Sequence, residues 1–372
     1  MPILKSLIEM KRDIKKTDIT RLKELLNEWG EPAFRAKQIY EWIWNKQVSS
    51  FDEMTNLPKS LRQRLKENFV ITRSRYSETR KSADGTVKNA VLLPDNTVVE
   101  SVLIPDKKRV TACISSQAGC SLDCRFCATA RLKRVRNLSA GEIVDQVVEA
   151  IRQSEESYGH SLTNIVFMGM GEPLLNYDNV LKAVSIMTSP KGLGFSPRRI
   201  TVSTAGIPKM IKKLADDNPR VKLAVSLHSA LDRTRSRLMP VNERTGGLKA
   251  LEEALRHWYD KTKSPVTFEY ILFKGINDDR EHLDALIKLA RRIPSKVNLI
   301  AYNPTDSFDR FTGADDKELE KFRDALKAAG ITATVRRSRG GDIEAACGQL
   351  AGRYETDLPK IPYKNLSLKS SE

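Results

Sequence analysis

From about Val110 onward, short runs rich in Val, Ile, Leu and Thr alternate with longer stretches whose apolar residues recur at helical spacing. The runs are VTACIS, NIVFMG, ITVST, LAVSLH, VTFEYIL, VNLIAY and ITATVR, and they predict strands. Between them AGEIVDQVVEAIRQ, NVLKAVSIM, PKMIKKLA, LKALEEALRHWY, HLDALIKLARR and ELEKFRDALKAAG predict amphipathic helices. Strands alternating with helices mean a parallel sheet covered by helices, because each parallel connection needs a crossover. About six βα units fall short of the eight of a closed barrel. The expected fold is therefore α/β, an open, partial (βα)6 TIM-like barrel, with a doubly wound open sheet as the alternative. In barrels of this kind the C-terminal strand ends carry the chemistry.

Ahead of this domain the pattern differs. ITRLKELLNEWG reads as a helix stopped at Gly30, PAFRAKQIYEWIWNK as a second starting after Pro32, and Lys59 to Asn68 as a third. They form either a small RNA-contacting module or a plain helical cap. TVKNAVLL and TVVESVLIP, joined by Pro94-Asp95-Asn96, predict a β-hairpin. From about Tyr354 periodicity is lost. The expected segments are thus a helical domain (1–72), a hairpin extension or linker (73–105), the βα domain (106–353) and a flexible tail (354–372).

Charge adds a partner. The chain has 63 Lys and Arg against 47 Asp and Glu, a net +16 over 372 residues. Such a surplus favours a polyanion, because each neutralised phosphate releases counterions. No apolar run approaches the roughly 18–20 residues that cross a bilayer. The N-terminus lacks the apolar core and cleavage site of a secretion signal. A cytoplasmic protein without a membrane partner is expected.

Four of the five cysteines lie in Cys113-Ile-Ser-Ser-Gln-Ala-Gly-Cys120-Ser-Leu-Asp-Cys124-Arg-Phe-Cys127. Cysteines bunched in this way in a cytosolic chain point to metal or catalysis rather than a disulfide framework. Cys120, Cys124 and Cys127 follow the spacing C-x3-C-x2-C on a loop after the first strand of the domain. Three thiolates on one loop can ligate three irons of a 4Fe-4S cube and leave the fourth open to a ligand. A zinc site would need a fourth ligand, and His160, His228, His257 and His282 have no paired ligand spacing. An electron-transfer cluster would take Cys113 or Cys347 as the fourth.

After the second strand, Phe167-Met-Gly-Met-Gly-Glu172-Pro173 offers Gly169 and Gly171 for close backbone approach to a ligand and Glu172 as acceptor for an ammonium group. Ser203, Ser226-Leu227-His228 and Asn303 end later strands and converge on the same mouth. Each alone could be a cap or turn residue. Cys347 lies in RRSRGGDIEAACGQLAG, where it reads equally as a small buried apolar residue or as a thiol activated by neighbouring arginines. Glu100, in TVVESVLIP, reads only as a hairpin carboxylate.

The cysteine spacing resembles the radical S-adenosylmethionine superfamily. SSQAGCSLDCRFCATA, FMGMGEPLLNYDNV, ITVSTAG, LAVSLHSA and RRSRGGDIEAACGQLAG together resemble its RlmN/Cfr family of RNA methyltransferases across nearly the whole chain. The resemblance implies a single 4Fe-4S cluster on Cys120, Cys124 and Cys127, with S-adenosylmethionine held by Gly171, Glu172, Ser203, Ser226, Leu227, His228 and Asn303. It implies methylation at C2 of an adenine in 23S ribosomal RNA and of the adenine 3′ of certain tRNA anticodons. Two cofactor molecules serve each turnover. One methylates Cys347, and the second yields the radical that activates that methyl group for addition to the base. Glu100 then accepts the C2 proton. Cys113 attacks the Cys347 sulfur, giving a transient disulfide and free product. An electron donor such as flavodoxin and a monomeric state are also implied. The alternatives are a Cfr-like enzyme acting at adenine C8 and an RNA-binding protein with a purely structural cluster.

Overall fold

The computed structural model describes residues 11–132, 134, 136–304 and 311–351; the expected tail at 354–372 lies outside them. One ten-stranded sheet dominates, and its strands follow chain order without a swap: β1 (Arg75–Lys81), β2 (Val87–Leu92), β3 (Val98–Asp106), β4 (Arg109–Cys113), β5 (Asn164–Phe167), β6 (Ile200–Thr204), β7 (Lys222–Ser226), β8 (Val266–Leu272), β9 (Ser295–Ala301) and β10 (Thr332–Arg336). β1 to β4 are antiparallel, and β4 to β10 are parallel. All seven runs read from the sequence are parallel strands, joined by six crossovers. The doubly wound alternative is excluded, because that topology needs a point where strand order reverses.

The crossovers carry α4 (Ala140–Tyr158), α5 (Tyr177–Thr188), α6 (Pro208–Asp217), the helices α7 (Asp232–Leu238), α8 (Val241–Arg244) and α9 (Gly247–Thr262), then α10 (Arg280–Arg292) and α11 (Asp316–Ala328). Their starts follow capping chemistry. Ser139 and Glu142 form a reciprocal capping box on α4, and Asp279 and Asp315 accept from the first-turn N–H groups of α10 and α11. α7 and α8 went unread because DRTRSRL carries no apolar stripe.

Strand alternation sets the layers. Ile165, Ile200, Val202, Leu223, Val225, Phe268 and Tyr270 face outward and are fully buried beneath the helices. They pack with Ile143, Val147, Ile211, Leu251 and Trp258. The alternate residues point into the barrel and are largely polar.

The sheet does not close by strand pairing. β10 and β1 are its two edges, and the gap is spanned by side chains. Gly340 N–H donates to Asp84 Oδ2 (2.9 Å), and Ser82 Oγ bonds Asp342 Oδ1 (2.6 Å), so the β1–β2 turn rests on the loop after β10. The expected hairpin is present as β2 and β3, but it is no linker. β3 pairs directly with β4, and β1 adds a third antiparallel strand. β1 went unread because RYSETRK is an exposed, charged edge, the composition that discourages edge-to-edge association.

The three expected N-terminal helices are α1 (Ile19–Glu28), α2 (Phe34–Trp44) and α3 (Lys59–Asn68). Gly30 follows α1 with φ of 75°, as a helix stop requires. Lys15 docks this module on α4, with Nζ 2.6 Å from Asp145 Oδ1; both side chains are buried, and Asp145 also accepts from Ser74 N–H. Burial pushes the Asp145 carboxyl above its ordinary range against the pull of Lys15. Among the described residues no helix is long and apolar enough to cross a membrane.

Removing one partner of a buried pair strands the other charge in low dielectric. Lys15→Met should therefore cost about 3–5 kcal/mol in denaturant unfolding, and Lys15→Met/Asp145→Leu should recover most of that loss.

Candidate active site

The loop after β4 carries the cysteine trio. Gly119 (φ 79°) and Asp123 (φ 56°) turn it tightly. Cys127 N–H donates to Cys124 O, and Arg125 N–H donates to Leu238 O at the end of α7. Cys120, Cys124 and Cys127 line one wall of a pocket at the C-terminal strand ends, with Glu172, Ser203, Ser226, His228 and Cys347 on the others. Burial, with the neighbouring thiols, pushes Cys120 up to about 12 and Cys124 well above its ordinary value; burial likewise raises Cys127. Three thiolates so placed need strongly cationic ligands. Among the described residues no group of three His, Cys, Asp or Glu side chains is placed to hold a metal ion. A cube-shaped cluster asks only for one thiolate per iron. The donor set fits it.

The loop after β5 is pressed onto the same segment. Ser116 and Gln117 N–H groups both donate to Met170 O, and Ser115 Oγ accepts from Met170 N–H. This accounts for the two glycines. A Cβ on Gly169 would lie 2.7 Å from the Ile114 carbonyl, and one on Gly171 (φ 94°) would strike Gln117. Both glycines thus permit close packing against the segment leading into the cysteine loop. Gly171 still lines the pocket.

Glu172 is buried, its Oε1 accepting from Leu174 N–H (3.0 Å) and Oε2 from Ala205 N–H (2.7 Å). Burial outweighs these bonds and raises the carboxyl to about 7. Such a group gains by meeting a cation. His228 has φ of 53° and packs edge-on against Phe126 at 4.8 Å between centroids. Its Nδ1 accepts from Ile271 N–H at 3.0 Å, which leaves Nε2 as the protonated nitrogen. Burial and then Arg235 depress its pKa to about 3, so the ring is a neutral donor. Leu227 is fully buried and does not line the pocket; its N–H donates to Glu269 O. Asn303 also stands back and donates to Cys347 O at 3.3 Å.

Cys347 lies on a C-terminal loop clamped to the cysteine loop. Ala128 N–H donates to Gly348 O (2.8 Å), and Thr129 Oγ1 donates to Leu350 O (2.6 Å). Cys347 lines both the upper pocket and a second cavity inside the barrel; Cys113, at the end of β4, lines only the second. Burial first, and Cys347 second, raise the Cys113 thiol to about 12, while Arg336 opposes them. Arg336 is half-buried beside both thiols, and Cys347 is the main influence raising its own pKa. All five cysteines are free, so the expected Cys113–Cys347 disulfide is not formed in this structure.

Glu100 lines neither cavity. It is buried on β3 and paired with Lys88 at 3.0 Å; Lys88 Nζ also donates to Glu344 O, three residues before Cys347. Lys88 and Arg235 went unread in the sequence, whereas Arg336 is one of the arginines expected beside Cys347. Only the polar charge of Lys88 within the apolar TVKNAVLL offered a signal.

Residues 13–71 match the family model of the ribosomal RNA large subunit methyltransferase N-terminal domain, and residues 114–290 match the radical SAM superfamily. The chain is 55% identical over 345 residues to a probable dual-specificity RNA methyltransferase RlmN of Christiangramia forsetii, covering 93% of this chain and 97% of that one. It is 43% identical to the dual-specificity RNA methyltransferase RlmN of Nautilia profundicola, with 90% and 98% covered. A radical SAM methyltransferase of Sphaerobacter thermophilus superposes with a TM-score of 0.84 at 41% identity, over 92% of this chain and 99% of that one. With sequence agreement running through both the N-terminal module and the cysteine-bearing barrel, the chain belongs to the RlmN family within the radical SAM superfamily.

Proposed function

We propose that the protein methylates C2 of adenine in 23S ribosomal RNA and in the adenine 3′ of a tRNA anticodon, using two molecules of S-adenosylmethionine per turnover. The observation that carries this reading is the position of Cys347, shared between the pocket of the cysteine trio and the cavity of Cys113. C2 of adenine is not nucleophilic, so a methyl group must first be activated on the protein. A cluster held by Cys120, Cys124 and Cys127 would supply, together with S-adenosylmethionine, the electron and the radical hydrogen-atom abstraction that such activation needs.

The chain's own groups do the rest. Glu172 accepts from the ammonium group, and neutral His228, with Ser203, Ser226 and the Gly171 backbone, orients the remainder of the cofactor, while Leu227 stands behind them with its N–H and carbonyl bonded to Glu269 and Arg235. Asn303 steadies the loop of the methyl carrier, Cys347. Glu100 takes the C2 proton, for which it must exchange Lys88 for the base. The link from Lys88 to Glu344 O ties that exchange to the position of Cys347. Cys113 then attacks the Cys347 sulfur, and carbon leaves in place of a thiol. Arg336 stabilises negative charge on both sulfurs.

RNA engagement follows from the net +16 and from the N-terminal module (1–72), where Lys46 covers Trp42 at 3.6 Å and Arg64 covers Trp29 at 4.8 Å. The target base must be unstacked to enter a barrel mouth. The reading places the enzyme in the cytoplasm as a monomer served by a low-potential electron donor such as flavodoxin, with 106–353 as the catalytic core.

Mass mapping of RNA treated with the reconstituted enzyme should find 2-methyladenine; methylation at C8 alone would overturn the regiochemistry. Cys347→Ala should abolish the product while keeping the brown cluster. Cys113→Ala should accumulate a covalent protein–RNA adduct on denaturing gels, and clean turnover by that variant would remove its assigned role. Protonation of Glu172 deletes the acceptor charge, so S-adenosylhomocysteine affinity for the cluster-loaded chain should fall as pH drops through about 7, and Glu172→Gln should flatten that profile.

A further inference from the structure

Barrels of this class usually fill their interior with layers of branched apolar side chains. This one does not. The inward positions below the pocket include Thr111, Thr201, Thr267, Asn298 and Thr334, and together they bound a hollow that runs from the sulfur atoms to the N-terminal ends of the strands. Thr334 is solvent-exposed although it points inward. At the far rim stand Arg109, Lys222 and Lys296, all exposed; Asp316 and Glu320 also line the hollow, each 3.9 Å from an arginine, Arg337 and Arg323 respectively, so the cations remain in excess. Arg109 is paired with Asp106 at 2.6 Å. Arg336 is at the inner end.

Among the described residues Cys113 faces this hollow and not the upper pocket, and it is 6% exposed. Resting on the functional reading above, each turnover leaves Cys113 and Cys347 joined and the enzyme two electrons short. During turnover the upper pocket holds the cofactor, and the base enters from that side. A redox protein presents its thiols on a surface and cannot pass them into a barrel.

We infer that the polar hollow beneath the active site is the entry route for a small anionic thiol that reduces the Cys113–Cys347 disulfide. One external thiolate attacks a sulfur of the bridge, forming a mixed disulfide and expelling the partner sulfur as thiolate. A second external thiolate attacks the external sulfur, releases the remaining protein thiolate and leaves as an external disulfide. Two electrons enter the bridge, and the two protons lost by the external thiols end on Cys113 and Cys347. The basic rim concentrates an anionic reductant at the entrance.

The test uses the full chain with its cluster, oxidised anaerobically with diamide and saturated with S-adenosylhomocysteine. Return of the two thiols is followed by alkylation and mass measurement. Compared per thiolate, 3-mercaptopropionate should outpace 2-mercaptoethanol, and cysteamine should be slowest, with about tenfold across the series. A thioredoxin-type protein dithiol should be slower than any of them. Lys222→Gln/Lys296→Gln, at exposed positions that leave folding intact, should remove most of the advantage of the anion and leave 2-mercaptoethanol unchanged. Thr334→Trp should slow all three small thiols. Equal rates across the series, faster reduction by the protein dithiol, or failure of diamide to join Cys113 to Cys347 would overturn the inference. Because diamide imposes the bridge, the result does not depend on methyl transfer, and absence of 2-methyladenine with normal thiol entry would sink only the functional reading.

Discussion

The active-site mouth rests on one buried cation. Arg235, on α7, is fully enclosed beneath the strand ends. It donates from Nη1 to the Ser226 and Leu227 carbonyls (2.9 and 2.6 Å), from Nη2 to the Ala205 carbonyl (2.6 Å) and from Nε to Asn242 Oδ1 (3.0 Å). These carbonyls close β6 and β7, so one side chain sets the relative position of the residues that follow Ser203 and Ser226. Burial lowers its pKa to about 10, while nearby Cys124 and Asp232 oppose the shift, and it stays charged at neutral pH. Leu238, at the other end of α7, holds the cysteine loop through Arg125 N–H. Gly206 is the steric counterpart: its φ is 94°, and a Cβ there would stand 2.8 Å from Arg235 Nη2.

Desolvation of a buried charge of this kind offsets much of its hydrogen bonding, so its net contribution to stability is small. The consequence here is geometric. His228, next along the chain, sits at positive φ and is kept neutral in part by the same cation, so it presents a fixed N–H. The loops after β4, β5, β6, β7 and β10 then meet around one pocket; backbone bonds tie the loop after β4 to those after β5, β7 and β10, and the Glu172 and Arg235 side chains hold the loop after β6. The antiparallel strands β1 to β3 complete the arrangement by bracing the C-terminal loop that carries Cys347.

The open barrel and the chemistry share a cause. Without strand pairing between β10 and β1, no ring of side chains must interlock at the centre, and the inward positions are free to be Thr, Asn, Lys and Arg. The outer faces carry the apolar core instead. The two thiols thereby sit between an apolar-walled mouth and a polar interior.

Much of this was readable from the chain itself. Period-two and period-3.6 patterns are local properties, and they determined the parallel strands, most helices and the order of elements. The spacing of Cys120, Cys124 and Cys127 already put three thiols on one loop, because residues that close in sequence need no tertiary information to come together. The shared placement of Cys113 and Cys347 was not readable, since it depends on the register that sets Cys113 against Val166 and on a loop fastened more than two hundred residues away. Nor were the Lys88–Glu100 pair, the carbonyl cage of Arg235 or the hollow interior. Alternation says that two faces differ but not which one meets helices. Only packing the sheet against its crossovers decided that, by sending the apolar face outward and leaving the polar face to line the barrel.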